Sequence, residues 1–121
     1  MNVTTEVVNG RRQPLRVGSM RHILVLQWPG SAQADFEELV NMEDELERSL
    51  SVDASVDGHD FGSGEMNIFI GTDQPPQTFA DVQRVLSHWP RWTDVRAAHR
   101  EQSGDTYTVL WPVGETDFRV I

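Results

Sequence analysis

Residues 22–30 read HILVLQWPG. The run from His22 to Trp28 has the length and apolar content of a buried strand, and Pro29-Gly30 stops it. Ser31 to Leu50 follows with helical periodicity: Phe36, Leu39, Val40, Leu46 and Leu50 form one apolar stripe, with Met42 at its margin. Asp35 and Glu38 stand at capping-box spacing. A strand running directly into an amphipathic helix opens a β-α unit.

Downstream, Val52, Ala54 and Val56 alternate with polar residues and predict a second strand that enters Asp57-Gly58. Met66 to Ile70 (MNIFI) predicts a third, ended by Gly71-Thr72-Asp73 and Pro75-Pro76. Thr78 is a plausible N-cap for a second helix, along which Phe79, Val82, Val85, Leu86 and Trp89 recur before Pro90 ends it. Val95, Ala97 and His99 alternate in a fourth strand, and Tyr107, Val109 and Trp111 in a fifth, with Ser103-Gly104-Asp105 turning the chain between them. The order β-α-β-β-α-β plus a C-terminal strand is α+β and matches the ferredoxin-like split βαβ. That plan expects an antiparallel sheet with both helices on one face, extended by the last strand at the edge holding the fourth.

Upstream, residues 1–20 look different. They hold Gly10, Pro14 and Gly18 and show no sustained period, which predicts a flexible N-terminal leader. Met20, directly before the first strand, is the alternative natural start. The 121-residue chain therefore reads as a leader over 1–20 and a single domain over 21–121.

Composition closes several function classes. The chain has no cysteine, so disulfides, zinc–thiolate sites, iron–sulfur clusters and thiol nucleophiles are excluded. All ten basic residues are arginine, which removes lysine Schiff bases and the P-loop lysine. No apolar run reaches the ~20 residues of a membrane span, and no signal-peptide h-region follows Arg11-Arg12. A cytoplasmic protein without membrane attachment is expected. The net charge is −9, made of +2 over residues 1–20 and −11 over the remainder. Such a surface repels phosphate backbones, so no nucleic-acid partner is expected, whereas a basic protein partner suits it. The carboxylates of the first helix lying off its apolar stripe, Glu37, Glu38, Asp44, Glu45 and Glu47, are the candidate partner-binding residues. Off the stripe, they are expected to be dispensable to the fold.

The most unusual segment is DGHDFGSGEMN, residues 57–67. Its glycines do not make a dinucleotide fingerprint, because a strand rather than a helix follows them. Asp57, His59, Asp60 and Glu65 carry metal-binding groups, but in an extended segment Asp57 and His59 share a face that Asp60 does not, so no metal and no other cofactor is expected. Asp57, His59, Asp60, Ser63, Glu65 and Asn67 stay as a possible ligand or partner turn, against the plainer reading of a bulged hairpin. Ser63 lacks the G-x-S-x-G elbow, and no catalytic residue is assigned. His22 and His99 fall on strands expected to be neighbours, where two histidines either make a site or are simply solvated or hydrogen-bonded. The four tryptophans, Trp28, Trp89, Trp92 and Trp111, either line an aromatic cleft or cap the core.

Residues His22 to Trp111 resemble small bacterial proteins of ferredoxin-like or ACT-like plan, and the DGHD-F-GSGE-M-N-IFI segment is similar to a motif of small uncharacterised bacterial proteins. The ACT-like resemblance implies ligand binding between sheets in a dimer, although such domains normally accompany an enzyme domain. In size and charge only, the chain is similar to acidic immunity proteins. No functional residue is carried over from these likenesses. The leading expectation is a non-enzymatic protein, monomeric or homodimeric, that binds a basic partner through its acidic surface. A small-molecule-binding or regulatory module is the second, favoured by an apolar pocket at Trp28 or Trp111. A small dimeric enzyme using His59 with Asp57 or Glu65 is the third, favoured by their convergence in a cleft.

Overall fold

The computed structural model describes Thr5–Val8, Arg11–Pro14 and residues 20–121. Strands β1 (Thr5–Val8) and β2 (Arg11–Pro14) pair antiparallel as a two-stranded sheet. Of the expected leader, residues 1–4, 9–10 and 15–19 lie outside the described residues.

The main sheet has five strands: β3 (His22–Pro29), β4 (Ala54–Gly62), β5 (Glu65–Thr72), β6 (Arg96–Glu101) and β7 (Thr108–Trp111). Their spatial order is β4-β5-β3-β6-β7 and every neighbouring pair is antiparallel. This is the split βαβ arrangement with β7 added beside β6. The hydrophobic run of β3 puts it in the centre, because a strand paired on both sides and covered on both faces needs apolar residues at successive positions. Leu24, Val25, Leu26 and Trp28 are all fully buried.

Helices α1 (Gln33–Ser49) and α2 (Pro75–Leu86) share one face of the sheet. Leu39, Met42 and Leu46 from α1 and Phe79, Val82 and Leu86 from α2 meet Leu24, Leu26, Trp28, Met66, Ile68 and Ile70 in one core. Met42 lies inside the core rather than at its margin, and Glu43 beside it is buried as well. The buried stripe of α1 is thus rotated toward Met42–Glu43, because the helix leans on edge strand β4 as well as on β5. The tryptophans serve this core: Trp28 and Trp92 are buried in it, and Trp89 and Trp111 pack against it.

Local chemistry sets the element ends differently from the periodicity at three places. In α1, Asp35 is the third helical residue, and its carboxylate accepts the N–H groups of Ser31 and Ala32, both at 2.9 Å. The second helix starts at Pro75, not after Thr78, since proline is pre-set for the first helical turn. Thr78 lies inside that helix, its hydroxyl 2.7 Å from that of Thr72, which accepts the N–H of Gln74. Pro90 opens a 3-10 helix (Pro90–Asp94) that inserts Trp92 into the core. Among the described residues no helix is long and apolar enough to cross a membrane.

Candidate functional site

The 57–67 segment folds as the β4–β5 hairpin. Ser63 (φ 57°) and Gly64 (φ 81°) form its two-residue turn, the left-handed pair that matches the twist of the flanking strands. A bulge falls between Val56 and Gly58, with Asp57 as the extra residue. This breaks strict alternation, so the face assignment expected for Asp57 and His59 is corrected. By register His59 pairs with Ile68 and lies on the helix side of the sheet. Asp60, opposite Asn67, and Asp57, packed beside Gly71, lie with Glu65 on the other side. His59 instead meets Glu43 of α1, Nδ1 to Oε1 2.9 Å, with the Phe36 and Phe61 rings close by. The arrangement needed for acid–base work, His59 with Asp57 or Glu65, is not formed.

Glu65 and Asn67 belong to a different assembly on the face away from the helices. The side chain of Gln27 donates to Asn67 Oδ1 at 3.0 Å and to the Arg119 carbonyl at 3.0 Å. Asn67 Nδ2 and the Ile121 N–H both donate to Glu65, each at 3.1 Å. Arg96 bonds Glu115 and the Asp117 carbonyl, and its guanidinium lies over the Phe118 ring. Residues 112–121 therefore strap this face, and Gln27 and Asn67 are buried beneath them with their amides satisfied.

The α1 carboxylates divide into two sets. Arg91 joins Glu38 (3.1 Å), Asp35 and the Pro29 carbonyl (3.2 Å), tying the 3-10 helix to the start of α1. Glu45 accepts from Trp89 Nε1 (3.0 Å) and meets His88 Nε2 (2.9 Å). Glu38 and Glu45 are thus part of the fold, which corrects the expectation that all five carboxylates are dispensable to it. Glu37, Asp44 and Glu47 are exposed, and none of them has an ion-pair partner among the described residues. Edge strand β4, against which α1 packs, exposes Asp57 and Asp60 on the face away from α1, and exposed Asp53 precedes it.

Two of these contacts make stability depend on pH. The N–H groups of Ala32 and Ser31 hold the Asp35 carboxyl below its ordinary range, and His88 followed by Trp89 does the same for Glu45. A carboxyl whose folded pKa is depressed stabilises above its unfolded pKa and loses that contribution as pH falls through the folded value. Wild type should therefore exceed D35N/E45Q in thermal midpoint at neutral pH, and the two should converge below about pH 4 in a melting series. A constant gap down to low pH would refute this assignment.

At the end of the sheet where β3 begins, His22, His99, Arg100, Glu101, Gly104, Asp105, Thr106 and Thr108 line an open polar cleft of about 400 Å³. The two imidazoles meet edge-on, ring centroids 5.6 Å apart. Each has a buried Nδ1 without a hydrogen-bond partner. Burial, and then the neighbouring His22, push the His99 pKa below its ordinary value. Strand neighbourhood pointed to this pair; the Ser103-Gly104-Asp105 turn was legible too, but not that it walls a cleft. No protein-family model, curated protein or solved structure matches the chain. Function is accordingly read from the residues.

Proposed function

We propose that the protein is a cytoplasmic, non-enzymatic binding protein that recognises a basic protein partner through the α1–β4 flank. The observation that carries this reading is the sorting of the α1 carboxylates. Arg91, His59 and His88 bond the inward set, while Glu37, Asp44 and Glu47 stay outward, and Asp53 precedes β4 as a further exposed carboxylate. Arg48 is the one arginine within α1. Exposed carboxylates on one flank attract a positive partner over a Debye length and raise its rate of encounter. An immunity-type protein that masks a basic toxin is one version of this function.

The other two expectations gain no comparable support. Trp28 is sealed in the core, Trp111 packs against Phe79, and the histidine cleft is polar rather than apolar. His59 is committed to Glu43.

The test is a partner captured from native cells, followed by association kinetics with E37Q/D44N/E47Q. Glu38 and Glu45 are left alone because they hold the fold. The variant should keep the wild-type thermal midpoint and associate about tenfold more slowly at low salt. The difference should close near 1 M salt, where the screening length falls to about 3 Å. Equal association rates at low salt would refute the flank as the recognition surface.

A further inference from the structure

Two histidines that line one cleft, His22 and His99, each carry a buried nitrogen without a partner. An unsatisfied polar atom inside a protein costs roughly 1–3 kcal/mol, and a bound ion or water is a usual remedy. His22 and His99 present such an atom each, on neighbouring strands: His99 stands opposite Leu24, and His22 opposite Glu101. The diagonal relation brings the two rings together on the helix side of the sheet.

We infer that His22 and His99 form a two-imidazole site for a divalent transition-metal ion of the zinc, copper or nickel class. The ring separation fits. An ion about 2.0–2.1 Å from each of two imidazole nitrogens in tetrahedral geometry sets the ring centroids roughly 5–6 Å apart, and here they are 5.6 Å apart. Imidazole is the ligand these metals prefer.

The surroundings favour a cation over an anion. Glu101 and Asp105 line the cleft, and the chain carries −9 overall. The one arginine in the lining, Arg100, directs Nη1 at the carbonyls of Glu101, Gln102 and Gly104.

Among the described residues no group of three histidines, cysteines or carboxylates converges to hold a metal. The remaining coordination positions therefore go to water or to an incoming donor, which makes this an open site rather than a closed structural one. This site departs from the expectation that the chain holds no metal; it is separate from the His59 segment and lies away from the α1–β4 flank.

The experiment is titration of the full chain, free of any affinity tag, with Zn²⁺. Calorimetry should find about one ion per chain. H22Q and H99Q should each weaken binding at least tenfold, whereas H59Q and H88Q should leave it unchanged. The side-chain ¹⁵N resonances of His22 and His99 should shift in the wild-type protein on adding Zn²⁺, a readout that holds even if a variant fails to fold. Unmoved ¹⁵N resonances, or zinc uptake that survives both H22Q and H99Q, would overturn the proposal.

Discussion

Trp28→Ala should lower the stability of the domain by about 3–5 kcal/mol, the range for emptying a large aromatic site in a core. Trp28 is fully buried on the central strand and belongs to the core cluster shared by both helices. For a domain of this size the loss corresponds to a fall in thermal midpoint of at least about 12 °C. Trp28→Phe should behave differently. The indole N–H is buried without a hydrogen-bond partner among the described residues, so the larger ring pays a desolvation cost that phenylalanine does not. The phenyl ring keeps most of the apolar contact, and the Phe variant should lose less than a third of what the Ala variant loses. Calorimetric melting of the two proteins decides it. Equal losses would mean that the indole N–H contributes to stability.

Ending the chain after Trp111 should cost about 2–4 kcal/mol, because the strap carries several hydrogen bonds worth about 1 kcal/mol each and more where a charge takes part. Removing it takes the Arg119 carbonyl from Gln27, the Ile121 N–H from Glu65, and both Glu115 and the Asp117 carbonyl from Arg96. Phe118, which packs on Tyr107 and beneath the Arg96 guanidinium, leaves as well. The exposed face would include Val25, fully buried in the intact protein and on the same side of β3 as Gln27. Guanidinium denaturation should show a lower midpoint, and a dye that reports apolar surface should bind the shortened chain. An unchanged midpoint would show that residues 112–121 do not hold this face. The intact tail also bears on the dimer expected for a ligand-binding module, since it covers part of the sheet face through which such a dimer would form.

The order and type of the elements are written in the amino-acid pattern alone. The run from His22 to Trp28, the helical stripe after it and the alternating segments each bear their own period, so a split βαβ plan with an added strand was legible from residues 21–121. The charge imbalance and the absence of cysteine and lysine were equally plain. Element ends were less so, because a periodicity does not show where capping begins: Pro75 and the Asp35 carboxylate set the helix starts through local backbone geometry.

The pairings across space were settled only by tertiary structure. Glu43 and His59 are 16 residues apart, Glu45 and Trp89 are 44, and Gln27 and Arg119 are 92. At such separations neither composition nor period constrains a side chain's partner. One extra residue at Asp57 also moved His59 to the helix side of the sheet, because side chains alternate with a period of two and a bulge reverses every assignment beyond it. Which carboxylates of α1 are bonded and which face outward followed from where Arg91 and His88 came to rest, a consequence of how the second half of the chain folds back onto the first.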